Sequence, residues 1–216
     1  NPDTIIEKQS LVQSLKFLIK NKNVSILGAC HLNEFNNISP SCSRTPTVTT
    51  IIWDILGLSK LFPWLFKPAT VMTDFDHKSS CYVNQVMGAY MMMQRKIFED
   101  LKGFDTRFFV YYEDADFAYR AKKIGYNTYY NSDIRITHIG RGTTAKISDK
   151  SLFYNLRSRI QFVNKHYGAF KGNIILFMTL TIEPITRILY NLIKNPEENK
   201  NTLKAIRSIY RYYFKI

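Results

Sequence analysis

The sequence predicts an α/β body followed by an all-helical tail. Short apolar runs of strand type alternate with helical periodicities from the start of the chain to about residue 140, and three longer helical patterns follow between 149 and 214. Hydrophobic residues make up 45% of the 216, which excludes a disordered chain and leaves room for one domain with a sizeable core, or one domain plus an appendage.

Each element rests on local pattern. Residues 7–20 read as a helix with Leu11, Leu15, Leu18 and Ile19 on one stripe. Val24 to Cys30 is a strand-type run, and the Asn-, Ser-, Pro- and Thr-rich stretch 31–48 reads as a long loop. Residues 49–66 are apolar and helical in pattern, ending before Pro68. Residues 67–81 are irregular. They hold Asp74, Asp76 and His77, a loose trio that reads as polar surface rather than a metal site. Tyr82 to Met93 is strand-like around a Gly88-Ala89 step, with Met91, Met92 and Met93 as core. Arg95 to Leu101 is a short helix stopped by Gly103. Glu113 to Ile124 is a second helix, with Phe117, Ala121 and Ile124 on its inner face and Gly125 as terminator. Tyr126–Tyr130 and Ile134–His138 are short strands. Asp149–His166 is amphipathic, with Leu152, Leu156, Ile160 and Val163 in register, and helices at about 173–193 and 199–214 complete the chain.

Cysteine and charge usage narrow the function classes. The three cysteines, Cys30, Cys42 and Cys81, include no C-x-x-C pair, which argues against a disulfide framework or a cysteine zinc site and for a reducing compartment. The opening Asn1-Pro2-Asp3 has the pattern of neither a signal nor a transit peptide. The net charge of +13 is uneven. Residues 1–140 hold 16 basic and 13 acidic residues, whereas 141–216 hold 14 basic and 4 acidic. An anionic partner for the C-terminal part follows: nucleic acid, anionic lipid or a diphosphate.

The most informative local pattern is Glu113-Asp114-x-Asp116-x-x-x-Arg120. Three carboxylates stand in the first turn of a helix, where free N–H groups and the helix dipole stabilise negative charge. Asp116 and Arg120 are spaced to pair. Such a cluster either supplies a general base or is an ordinary acidic first turn. Its flanks add Gly103-Phe104-Asp105 and Phe108-Phe109 before it, and Gly125-Tyr126 and His138-x-Gly140 after it. With Gly88-Ala89 and Arg95-x-x-Phe98, this ordered set resembles the family-2 glycosyltransferases, in particular their rhamnosyltransferase-like group. Asn1-Pro2-Asp3 resembles that family's acidic metal-binding motif, Pro40 to Thr47 resembles its P-S-x-R-x-P-T loop, and Lys165-His166-Tyr167-Gly168 resembles its K-H-x-G helix end. The resemblance covers about residues 1–168. Asn84 and Gln85 stand where the family often has an aspartate and an aromatic before the G-A step.

The resemblance implies a partial GT-A (Rossmann-like) domain over 1–168, with the nucleotide-gripping half expected upstream, and a basic amphipathic tail over 169–216. It implies inverting transfer of a sugar, rhamnose being one candidate, from a nucleotide-sugar donor to a glycan or polyprenyl-diphosphate-linked acceptor in cell-surface polysaccharide synthesis. Asp114 would be the catalytic base with Glu113 second, and Asp3 and His138 would hold Mn²⁺ or Mg²⁺. Gly88, Ala89, Asp116 and Arg120 would lie on the acceptor side. Arg141, Arg157 and Arg159 either meet the donor diphosphate or form a solvated basic face.

In the tail, Ile174 to Ile193 is long enough to cross a bilayer, but Glu183, Pro184 and Arg187 disfavour spanning. A helix lying in an anionic membrane surface fits better, with Leu176, Phe177, Leu180, Ile188 and Leu192 toward lipid, reinforced by Arg207, Tyr210 and Arg211. The expected location is therefore cytoplasmic, peripheral on the inner membrane face. The rival reading packs these helices on the catalytic body. Two other classes compete with the enzyme: a basic nucleic-acid-binding module, for which no reader motif is present and which is set aside, and a non-catalytic carbohydrate-binding or scaffold remnant.

Overall fold

The computed structural model describes residues 1–140 and 148–215, with side chains from 149 in the second segment. The chain forms two compact units that do not divide at residue 168. Unit 1 comprises Asn1–Thr45, Thr70–Asp105 and the described part of Glu113–Gly142; unit 2 comprises Pro46–Ala69, Thr106–Tyr112 and the described remainder. The architecture is mixed α/β, with one mixed sheet and a C-terminal helical region.

Unit 1 is built on a six-stranded sheet. Its centre is β2 (Ile26–Leu32) parallel to β8 (Thr128–His138). β1 (Thr4–Ile5) and β5 (Cys81–Val83) pair antiparallel with β8, and β3 (Ile38–Ser39) and β7 (Met92–Met93) pair antiparallel with β2. A separate ribbon joins β4 (Cys42–Ser43) to β6 (Gln85–Val86). Both faces of β2 are covered, which is why it reads as a continuous apolar run. Ile26 and Cys30 pack with Ile97 of α4 (Arg95–Asp100) and Phe117 and Ala121 of α5 (Glu113–Lys123). Leu27 and Ala29 pack with Leu18 of α1 (Lys8–Lys20), Ile134 and Ile136.

Several expectations shift. The two strands foreseen at 126–138 form one strand, and the polar Asn131-Ser132-Asp133 step between them is a bulge where the register with β2 slips. There the Asn131 side chain accepts the Asp133 N–H at 2.9 Å. α1 is rotated from its apolar stripe: Ser10, Ser14 and Leu18 are buried, whereas Leu11, Leu15 and Ile19 are exposed. The hydroxyls decide this face. Ser10 donates to the Arg135 carbonyl at 2.6 Å, and Ser14 shares a 2.6 Å hydrogen bond with the Tyr90 hydroxyl. Ile124 is also exposed, unlike Phe117 and Ala121. His77 is not polar surface. It is buried with φ +59, its Nε2 accepts the N–H groups of Ser41 and Cys42 at 3.2 Å, and its carbonyl accepts the Tyr130 hydroxyl at 2.7 Å. Burial lowers the pKa of this imidazole, consistent with a neutral ring acting as an acceptor.

Unit 2 is helical. The stretch foreseen as one helix at 49–66 breaks into α2 (Val48–Ile55) and α3 (Leu58–Leu61), because Gly57 turns left-handed at φ +75. Thr47 and Thr50 form a reciprocal cap at the start of α2. Ile51 and Ile55 pack with Leu156, Ile160 and Val163 of α6 (Ser148–Tyr167), Ile175 of α7 (Ala169–Lys194) and Ile209 of α8 (Glu198–Phe214). By length and composition α7 is long and apolar enough to cross a membrane.

Candidate functional site

The start of α5 is shaped by an unusual approach. Tyr111 and Tyr112, both non-glycine, adopt φ +63 and +65 immediately before Glu113. Each such conformation costs on the order of 1–2 kcal/mol and persists where the fold over-determines it, which in proteins is often at functional sites.

Asp114 is half-buried and firmly held. Its Oδ2 accepts the Gly88 N–H at 3.1 Å and its Oδ1 accepts the Ala115 N–H at 2.8 Å. The Gln85 side chain adds a third hydrogen bond. A β-carbon at Gly88 would lie 3.5 Å from Asp114 Cβ, so the G-A step sits directly against the carboxylate. Burial raises the Asp114 pKa, and the hydrogen bonds from Gly88, Ala115 and Gln85 oppose that rise. Glu113 is pushed up to about 7, by burial first and the neighbouring Asp114 charge second. Its Oε2 is buried with no hydrogen-bond partner among the described residues, as is Oε1 of Gln85. The pair therefore combines one positioned carboxylate with one whose protonation changes near neutrality.

Asp116 and Arg120, foreseen on the acceptor side, are paired with each other and tied to the segment after α4. Asp116 is fully buried and accepts from Arg120 Nε at 2.7 Å. The guanidinium also donates to the carbonyls of Leu101 and Gly103, locking the end of α4 to α5. Ala89, next to Gly88, is a buried core residue.

A second cluster forms where β1 meets the end of β8. The Thr4–His138 register brings Asp3 Oδ1 to 3.4 Å from His138 Nε2, and Asn1 Nδ2 lies 3.5 Å from the same nitrogen. Asp3 Oδ1 is buried and makes no aligned hydrogen bond among the described residues. Such an orphaned carboxylate oxygen beside an imidazole nitrogen is spaced as two ligands of one cation at about 2.0–2.2 Å would be. His31, which sequence reasoning missed, sets its ring edge-on to His138 with centroids 5.3 Å apart. It is buried, its Nδ1 has no partner among the described residues, and burial, then the charges of His138 and His77, push its pKa down to about 3. Its only sequence signal is a histidine closing an apolar strand. Among the described residues no group of three or more His, Cys, Asp or Glu side chains has the geometry of a metal site. Any cation here would need further oxygen ligands from water or substrate.

Both clusters relate to the carboxyl ends of the parallel strands β2 and β8. His31 and His138 lie at those ends. The Gly88 turn is tethered toward them, since the Met87 N–H bonds the Ser41 carbonyl at 2.8 Å and the Ser41 hydroxyl bonds the Ala29 carbonyl at 3.3 Å. This is the edge at which open α/β sheets bind ligands.

The basic candidates divide differently. Arg159 is buried inside unit 2, where its two terminal nitrogens donate to Glu183 and to Thr179 at 2.7 Å and tie α6 to α7, while its Nε has no partner among the described residues. Arg157 lies over the rings of Phe153, Tyr154 and Tyr212 at 5.2–5.8 Å. Arg141 falls outside the described residues. A search of known protein families and of curated proteins finds no match for this chain.

Proposed function

We propose that unit 1 carries the acceptor side of an inverting, metal-dependent glycosyltransferase of GT-A type. The observation that supports this best is the Asp114 carboxylate fixed by the Gly88 N–H, with Glu113 beside it. The two motifs that the family resemblance assigns to one site, 26 residues apart in sequence, are in direct contact.

In this reading Asp114 takes the proton of an acceptor hydroxyl as the hydroxyl oxygen bonds to the anomeric carbon. The bond from that carbon to the donor phosphate breaks on the opposite face, and the nucleoside diphosphate leaves with the electron pair. The backbone hydrogen bonds keep Asp114 aimed, and Glu113, largely protonated below its pKa of about 7, spares the site a second buried charge. Mn²⁺ or Mg²⁺ held by Asp3 and His138 would neutralise the leaving diphosphate, with Mn²⁺ better suited to a mixed carboxylate and imidazole set. A glycan or polyprenyl-diphosphate-linked acceptor and a deoxythymidine-diphosphate sugar donor such as rhamnose follow from the family resemblance.

The test uses the longest natural form of the protein and a panel of nucleoside-diphosphate sugars with Mn²⁺. Asp114→Asn should lower turnover at least about 100-fold with donor affinity little changed, and Glu113→Gln should be milder. Asp3→Ala and His138→Ala should weaken Mn²⁺ binding, read by electron paramagnetic resonance, and chelation should stop turnover. Undiminished turnover in Asp114→Asn sinks the base assignment. Activity that survives full chelation sinks the metal assignment.

A further inference from the structure

The two sides of α7 differ sharply. Its inner side, Gly172, Ile175, Thr179 and Glu183, is buried in unit 2. Its outer side presents Phe170, Ile174, Phe177, Ile185, Leu189 and Leu192, all exposed and recurring every three to four residues. At 1.5 Å per residue this stripe belongs to a helix about 39 Å long. Thr181 within it returns its hydroxyl to the Phe177 carbonyl at 2.8 Å and so needs no water, and Asn173 is exposed beside Ile174. The only acid of α7, Glu183, is turned inward. Burial opposes its ionisation, but the charges of Arg159 and Arg187 outweigh burial and hold its carboxyl well below the usual range. The charge that seemed to bar this helix from lipid is therefore hidden from its outer face.

Unit 2 carries two further features of the same chemical kind. Lys171 and Lys194 mark its ends, and Lys204, Arg207 and Arg211 are exposed on α8. The segment after α3 carries exposed Phe62, Trp64 and Leu65, and α3 itself meets α7 where Lys60 Nζ lies 4.4 Å over the Tyr190 ring.

We infer that the outer face of α7 docks on an anionic lipid surface, with the helix lying in the interface. Spanning is excluded while the inner face holds the unit 2 core, since lipid can reach one side only. A second copy of the chain is the poorer occupant. Residues 169–215 hold eight basic and three acidic residues, so two copies would face like charges where an anionic membrane offers opposite ones. Aromatic and aliphatic side chains bordered by Lys and Arg are the composition of interfacial helices. The stripe also corrects the sequence expectation, because Leu176 and Leu180 pack inward while Phe170, Ile174, Ile185 and Leu189 face out. The inference stands apart from the chemistry proposed for unit 1.

The test is co-sedimentation of the full chain with vesicles of phosphatidylcholine, alone or mixed with phosphatidylglycerol. Binding to the anionic vesicles should be at least about tenfold tighter than to neutral ones, and partly retained at high salt because apolar burial is not screened. Phe177→Asp and Leu189→Asp, at positions 64% and 59% exposed, should fold normally by circular dichroism and lose at least about tenfold in binding. Wild-type binding by these variants would overturn the inference. So would the absence of vesicle binding, a lipid-free dimer that the same variants abolish, or binding to duplex DNA without binding to vesicles.

Discussion

Glu113 and Asp114 adjoin in the chain but meet different surroundings, and the difference sets a pH dependence. A folded-state pKa of about 7 against an ordinary 4.5 means that the folded protein holds this proton more tightly. That contribution is fully present below about pH 4.5 and is lost as pH rises through about 7, where ionised Glu113 becomes a burden. Glutamine does not titrate. Glu113→Gln should therefore gain stability relative to wild type between pH 5 and pH 8, by about 1 kcal/mol after solvent screening, or roughly 2–4 °C in Tm. Parallel thermal melts at the two pH values check this; an equal shift at both would remove Glu113 as the titrating group. At this scale the sequence was informative about chemistry and poor about depth. The i,i+4 spacing of Asp116 and Arg120 announced their pairing, but nothing local reveals that Asp116 is fully buried or that Arg120 reaches the carbonyls of Leu101 and Gly103. Arg159 read as a surface cation because its partner Glu183 lies 24 residues away on the next helix.

Elements were legible where periodicity and terminators agreed. α6 buries Leu156, Ile160 and Val163 as foreseen, and Gly125, at φ +90, follows α5. They misled where a polar contact outweighed an apolar stripe. α1 turns Ser10 and Ser14 inward because buried partners await them, and a hydrophobic pattern cannot see those partners. Gly28 shows how closely the elements of unit 1 approach. A β-carbon there would lie 2.4 Å from Cγ1 and 2.6 Å from Cβ of Val86, a branched core side chain with little room to yield. Gly28→Ala should cost about 2–3 kcal/mol by overpacking, measured by urea denaturation. A neutral result would mean that β6 moves freely away from β2.

At the scale of the whole molecule, the units are interleaved along the chain. It leaves unit 1 after Thr45, returns at Thr70, leaves again after Asp105 and returns at Glu113. A boundary at 168 matched the reach of the family motifs but not the packing, since no composition shift marks Pro46–Ala69 as part of the helical unit. Truncation after residue 168 removes Ile175 and Ile209 from a shared core and leaves Arg159 buried without Glu183. Loss of such a partner alone costs about 3–5 kcal/mol. The 1–168 piece should therefore aggregate or lose α6 helicity, read by circular dichroism and light scattering. A soluble, cooperatively melting fragment would show that α7 and α8 are dispensable.

The central position of β8 also sets a timetable for synthesis. β1 at Thr4 and β2 from Ile26 both wait for a strand that ends at His138. At about 5–20 residues per second, β1 emerges from the ribosome roughly 7–27 s before its partner is complete. No hairpin can shorten that wait for β2, because a parallel pair requires a crossover. Through that interval one edge of β2, a strand of seven mostly apolar residues, has no native neighbour. The nascent chain is then most exposed to chaperone capture or to pairing with another copy, and the Asp3–His138 cluster is among the last features of unit 1 to exist.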